Sequence, residues 1–263
     1  MDLGLQNKVA IVSAASRGLG YAAAEALAKE GAKLVIFSKN KENIERAAEK
    51  IEETSKTKVE PVVANLYDSK TMYNVIEKAV DKFGTVHIIV TNAAPPPPGY
   101  ADEIGEEEWV KQFRQIFLSA IKLVSLGLPY MIQQNWGRII NILSITVKQP
   151  IDNLTISNSL RLALAGFSKS LTLQIKGKNI TINNVAPGYI MTDRVRELIR
   201  IQAEKNGRSM KETAKEISRN IPLGRIGEPE EFGNLIAFLA SEKASYINGA
   251  TITIDGGLSF FPI

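Results

Sequence analysis

Val9-Ala10-Ile11-Val12-Ser13-Ala14-Ala15-Ser16-Arg17-Gly18-Leu19-Gly20 is the stretch that decides the fold. Val9 to Val12 is a short apolar run rich in β-branched residues, which suits a buried strand. Small residues follow, and then Tyr21 to Glu30 reads as an alanine-rich helix. A strand turning tightly into a helix leaves the first N–H groups of the helix free, and small side chains let a pyrophosphate approach them. The placement between strand and helix makes the loose glycine pattern specific.

The same alternation recurs outward from this stretch. Lys33 to Phe37, Val59 to Val63, Val86 to Val90 and Arg138 to Ile142 are further apolar runs, and helices of ten or more residues separate them. Ile180 to Val185 and Ala250 to Ile254 add two later strands. Short apolar strands alternating with helices predict right-handed βαβ crossovers, hence an α/β, doubly wound (Rossmann) parallel sheet with helices on both faces. We expect one dinucleotide-binding oxidoreductase domain spanning 1–263. The polar, helical stretch from about 194 to 220 lacks a strong core stripe and is expected to form a substrate lid. Pro95-Pro96-Pro97-Pro98-Gly99 reads as a stiff loop at a strand end.

Composition closes several function classes. At 263 residues and 44% apolar content the chain can bury a substantial core. The net charge of +4 is small, and the cations are interspersed with acids, which argues against a nucleic-acid partner. No cysteine is present, so disulfides, thiolate catalysis and cysteine metal sites are excluded. The single histidine, His87, falls in an apolar strand and is expected to be structural, so no metal site is expected. No run is expected to approach the roughly 18 apolar residues of a membrane span, and the N-terminus lacks the apolar stretch of a signal peptide. A cytoplasmic protein with no membrane partner is therefore expected.

From Ser13 to Gly20 the chain resembles the Thr-Gly-x-x-x-Gly-x-Gly motif of the short-chain dehydrogenase/reductase family, with Ser13 for Thr and Ala14 for the first Gly. Thr91-Asn92-Ala93-Ala94 resembles that family's Asn-Asn-Ala-Gly strand end, and Pro187-Gly188-Tyr189-Ile190-Met191-Thr192 its Pro-Gly-x-x-x-Thr segment. Pro222 to Glu231 and Gly249 to Gly257 match further family motifs, so the resemblance spans residues 5 to 258. It implies a nicotinamide cofactor held by Ser13, Ala15, Ser16, Arg17, Gly18, Leu19 and Gly20 around the pyrophosphate, with Asn65, Leu66, Asn92, Ala93 and Ala94 near the adenosine. Pro187, Gly188, Ile190 and Thr192 would lie beside the nicotinamide. At the end of the second strand stands Ser38-Lys39-Asn40, without the acid that holds an unphosphorylated ribose. Ser38, Lys39 and Arg17 suit a 2′-phosphate, so NADP(H) is expected over NAD(H).

The expected chemistry is broken. In the family a Ser is followed thirteen residues later by the Tyr of a Tyr-x-x-x-Lys motif; here Ser144 is followed thirteen residues later by Ser157 and four after that by Arg161. Ala163 to Leu171 matches the apolar helix that follows the motif, so the register holds. An Asn that positions a relay water falls on Ile116, counting from Trp109. Ser157 is shorter and far less acidic than a phenol. Arg161 keeps a charge that cannot titrate, though by resemblance it is expected to grip the nicotinamide ribose. Losing a positioned acid removes on the order of 10²–10⁴ in rate, whereas near-attack geometry contributes roughly 7–11 kcal/mol. Turnover could therefore survive through Ser144 and a water, or a phenol from Tyr100 or Tyr189.

Two functions lead at this point, with a non-redox lyase or isomerase that uses the bound cofactor as a third. One is an NADP(H)-dependent oxidoreductase on a carbonyl or alcohol of a small-molecule substrate, with atypical proton transfer and Ser144, Ser157 and Arg161 at the catalytic positions. The other is a catalytically inactive NADP(H)-binding partner or sensor subunit. The family's habit of assembly implies a homo-tetramer or homodimer.

Overall fold

A computed structural model describes residues 1–261; Pro262 and Ile263, the end of the expected unit, lie outside them. Seven strands form one parallel sheet: β1 (Val9–Ser13), β2 (Lys33–Ser38), β3 (Val59–Val63), β4 (Ile88–Thr91), β5 (Gly137–Ile142), β6 (Ile180–Pro187) and β7 (Thr251–Ile254). Their order across the sheet is β3-β2-β1-β4-β5-β6-β7, so the winding reverses between β1 and β4. Ligands of such sheets bind outside the strand C-termini at this switch point. Pro61 lies on β3, an edge strand, where its missing N–H costs no central ladder bond.

Alternate residues of each strand feed opposite layers, as a sheet covered on both faces requires. Ala10 and Val12 pack with α1 (Gly18–Lys29), α2 (Lys41–Ser55) and α9 (Pro229–Ala240). Val9 and Ile11 pack with α3 (Thr71–Phe83), α5 (Ser119–Gln133) and α6 (Thr155–Gln174). Between β6 and α9 stand α7 (Asp193–Asn206) and α8 (Met210–Arg219), the expected lid. Their apolar residues Ile199, Val195, Ala214 and Ile217 join Ile221 and Ile226 in a small cluster apart from both main layers.

One expectation needs correction. α4 (Glu106–Gln112), a π-turn (Phe113–Leu118) and α5 run on as a single helix, Glu106–Gln133, which by length and composition is apolar enough to cross a membrane. Its polar residues are scattered, so a search for an unbroken apolar run passes over it. In the fold α5 packs against α3, β4 and β5.

A buried polar chain crosses the sheet beneath α6. Thr91 Oγ1 donates to Asn141 Oδ1 at 2.5 Å, Asn141 Nδ2 donates to Ser168 Oγ at 2.9 Å, Ser168 Oγ to Asn184 Oδ1 at 2.7 Å, and Asn184 Nδ2 to Thr251 Oγ1 at 3.1 Å. These bonds tie β4, β5, β6 and β7 to one another and fix α6 through Ser168, so register and helix placement are coupled.

His87 sits just ahead of β4 and is half-buried, with Nδ1 accepting the Val9 N–H at 3.0 Å and its ring edge-on to Trp136. Desolvation, and then Lys8, push its pKa down from 6.5 to about 4. The unfolded chain therefore takes up this proton first, so stability contributed by the neutral ring is full above pH 6.5 and is lost as pH falls toward about 4. In urea unfolding across that window, the wild type should lose stability relative to His87→Gln, and parallel curves would refute the assignment.

Candidate active site

The loop after β1 is shaped by close backbone packing. Ser13 Oγ donates to the Asn92 carbonyl at 2.7 Å and accepts the Asn92 N–H at 2.6 Å, a reciprocal latch between the ends of β1 and β4. Its side chain is therefore committed to Asn92 and buried, leaving only the Ser13 backbone to face a ligand. Ala14 adopts φ +49°, a left-handed conformation that glycine takes more cheaply. Gly20 has no such freedom to lose: a Cβ there would lie 2.4 Å from the Ala14 carbonyl oxygen and 2.9 Å from Asn92 Nδ2.

α1 begins with no side-chain cap on Arg17 and no acid in its first turn. Its leading N–H groups are thus free and its positive end is uncompensated, which fits a pyrophosphate. A groove of about 1000 Å³ runs from Ser16, Arg17, Gly18 and Thr192 along the outside of α1 toward Arg46 and Lys50 of α2. At the end of β2, Ser38 is half-buried and donates to the Asn40 carbonyl at 3.3 Å, while Lys39 is exposed. Among the described residues neither Arg17 nor Lys39 pairs with a carboxylate. Asn65 is exposed and caps its own turn by accepting the Tyr67 N–H, with Leu66 half-buried beside it. Ala93 is half-buried and Ala94 exposed, on the chain leaving β4.

Pro187 ends β6, and the segment after it is held from two sides. A Cβ on Gly188 would lie 2.7 Å from Asp255 Cβ, and Ile190 pairs with Gly227. That second contact explains the motif from Pro222 to Glu231, whose loop is locked by a bidentate Arg225–Glu231 pair at 2.6 and 2.7 Å. Thr192 caps α7 by accepting the Val195 N–H at 3.5 Å. Its methyl carbon would lie 3.8 Å from a Cβ on Gly18, so the two segments expected beside the nicotinamide and the pyrophosphate meet.

Of the expected catalytic positions, Ser144 stands just after β5, and Ser157 and Arg161 lie in the first two turns of α6. Ser144 is half-buried; its Oγ accepts the Thr146 N–H at 3.2 Å and keeps its own proton to donate. Ser157 is 5% exposed and shares a 3.1 Å hydrogen bond with Thr146 Oγ1, so its hydroxyl faces the protein. Ile116 lies on the π-turn and packs with Ile156 and Leu160, the residues just ahead of Ser157 and Arg161. Arg161 is 6% exposed and donates from Nη1 to the carbonyls of Ile142 and Leu143, both at 3.0 Å. Burial lowers its pKa to about 10, which still leaves it charged at neutral pH.

Neither phenol replaces the missing acid cleanly. Tyr100 donates to Asp152 Oδ2 at 3.0 Å, and that carboxylate raises its pKa, the wrong direction for a proton donor near neutrality. Tyr189, within the Pro187–Thr192 segment, is 39% exposed. Sequence reasoning missed Thr146, which links Ser144 to Ser157 and carries no motif signal. It also missed that the proline loop is pinned to α6, where Gly99 N–H donates to the Asn153 carbonyl at 2.7 Å and Thr155 Oγ1 to the Gly99 carbonyl at 2.9 Å.

Comparison with known proteins bears on the same residues. A family model described as enoyl-(acyl carrier protein) reductase matches residues 13–259. The chain is 34% identical to a 3-oxoacyl-[acyl-carrier-protein] reductase of Thermotoga maritima over 97% of its length and 98% of that protein's. It is 33% identical to the NADPH-dependent reductase BacG of Bacillus subtilis, over 96% and 98% of the two chains. Among solved structures it is similar to L-sorbose reductase from Gluconobacter frateurii complexed with NADPH and L-sorbose, with TM-score 0.95, 30% identity, and coverage of 99% and 100%.

The close approach at Gly20 gives a direct check on the loop. Gly20→Ala forces a methyl group against a backbone carbonyl that cannot move aside, so the unfolding free energy should fall by about 1–3 kcal/mol. An unchanged melting temperature would show that the loop packs otherwise.

Proposed function

We propose that this chain, which belongs to the short-chain dehydrogenase/reductase family, is an NADP(H)-dependent oxidoreductase on the carbonyl or alcohol of a small molecule. The observation that carries this reading is the intact cofactor cradle: an uncapped α1 N-terminus, Gly20 under the Ala14 carbonyl, and unpaired Arg17 and Lys39 beside an acid-free end of β2. The NADPH named for the sorbose reductase structure and for the Bacillus relative supports the same cofactor here. Ser16, Gly18 and Leu19 would receive the pyrophosphate, with Ala15 beneath them. Asn65, Leu66, Asn92, Ala93 and Ala94 would border the adenosine; Pro187, Gly188, Ile190 and Thr192 would hold the nicotinamide. That cofactor supplies or accepts the hydride.

The chain's own residues then govern the proton. Ser144 is the available donor: its hydroxyl hydrogen is uncommitted and stabilises negative charge developing on a carbonyl oxygen. Ser157 does not donate, since its hydroxyl is buried against Thr146. The proton reaches the product from solvent through water at Ser144, which makes proton transfer atypical for the family. α7 and α8, with their separate apolar cluster, act as the lid over residues 194–220. The molecule works in the cytoplasm as a homo-tetramer or homodimer, in keeping with exposed Leu118, Leu162 and Leu173 on the helices of one face. A catalytically inactive NADP(H)-binding subunit is the second reading, favoured by the inward-facing Ser157 and Arg161.

Isothermal titration should show NADPH binding more tightly than NADH, and Arg17→Ala with Lys39→Ala should erase the difference. Tighter NADH binding would reject the phosphate assignment. With a panel of 3-oxoacyl thioesters and keto-sugars, NADPH oxidation should fall on the order of 10²–10³-fold in Ser144→Ala, the loss of one oxyanion donor. Ser157→Ala should leave kcat unchanged. If no carbonyl compound is reduced while NADPH still binds, the inactive-subunit reading replaces the enzyme.

A further inference from the structure

Ser144 follows directly on β5, at the point where the sheet can no longer hold it. Along β5 the Arg138 N–H reaches the His87 carbonyl on the β4 side, and the Leu143 N–H reaches the Val185 carbonyl on β6. Donors and acceptors of a parallel strand alternate between its two neighbours. The Ile142 carbonyl therefore turns toward β4, and the Leu143 carbonyl toward β6. Neither finds a ladder partner. β4 has ended at Thr91, and the Ala93 N–H that the register would bring to this carbonyl makes no bond to it. On the other side the donor two residues beyond Val185 is Pro187, which has no N–H.

Buried carbonyls must be satisfied somewhere. Arg161 Nη1 supplies both bonds, at 3.0 Å each, from α6. The guanidinium has thus been drawn onto the tip of β5. It lines a small cavity with Ser13, Asn92, Ala93, Ile116 and Ser119, and its Nε has no protein partner there. The side chain is only 6% exposed, and Nη1 is spent on the two carbonyls.

We propose that Arg161 is a positioning residue for Ser144: its guanidinium closes the two carbonyls that β4 and β6 leave open, and so fixes the turn that aims the Ser144 hydroxyl. It does not hold the cofactor. The assignment rests on the oxidoreductase reading for its kinetic consequence, and on the geometry alone for its structural one.

The experiment compares wild type, Arg161→Lys and Arg161→Met, each in the Ser144 and Ser144→Ala backgrounds. NADPH affinity by fluorescence titration should be unchanged in the Arg161 variants. The kcat at saturating NADPH should fall about tenfold to a hundredfold in Arg161→Met, the scale of a small misplacement of a reacting group. Arg161→Lys, which keeps N–H donors, should restore part of it. In the Ser144→Ala background the Arg161 change should lower kcat no further, whereas a general loss of structure would. Amide exchange should quicken at residues 143–147 and stay unchanged elsewhere. If Arg161→Met does not fold, Arg161→Lys carries each comparison. Weakened NADPH binding with kcat intact would overturn the proposal, as would equal losses in both Ser144 backgrounds. If the wild type reduces no carbonyl, the oxidoreductase reading fails, and exchange at 143–147 in the NADPH-bound protein decides Arg161 by itself; unchanged exchange there overturns it.

Discussion

A guanidinium buried without a carboxylate beside it must spend its donors on neutral dipoles or leave the interior. Arg161 remains, because the sheet ends above it with two carbonyls that nothing else reaches. Removing one partner of such an arrangement strands the other, at about 1–3 kcal/mol for each unsatisfied group. The cation and the strand tip therefore stabilise each other. The ends of β4 and β6, the direction of α6 and the turn at Ser144 all meet at this contact.

The neighbouring substitutions fit around it. Where the family places a polar relay, Ile116 packs with Ile156 and Leu160, so the wall between the π-turn and α6 is apolar. Ser157 fills less space than a phenol and satisfies its hydroxyl on Thr146. Neither Ile116 nor Ser157 leaves its own side chain without packing or a partner. On the side expected to bind the dinucleotide, the latch between Ser13 and Asn92, the close approach at Gly20 and the contact of Ile190 with Gly227 fix the backbone shape.

Much of the architecture was legible before any coordinates. Apolar runs separated by helices gave all seven strands, with ends shifted by a residue or two, as at β4, which begins at Ile88 rather than Val86. The Gly-rich turn after β1 stands at the point where the winding reverses between β1 and β4. The continuous Glu106–Gln133 helix was not legible as such, because its apolar residues are interrupted and only the π-turn shows that its two halves join. The role of Thr146 was equally hidden. A lone threonine carries no pattern, and its contact with Ser157 links positions 11 apart in sequence.

By itself the sequence determined the doubly wound sheet, the cofactor loop, and the absence of a tyrosine and a lysine from the expected catalytic spacing. Those are properties of local pattern: strand period, glycine placement and residue identity at fixed intervals. Only the tertiary structure decided where the replacements point. The resemblance alone places Arg161 at a ribose, whereas the two carbonyls it donates to are left open by the missing N–H of Pro187 and the early end of β4, both 26 or more residues away from it in sequence. Hydrogen-bond demand at a strand tip is set by which chains end beside it, and that is a fact of the assembled sheet rather than of any one segment.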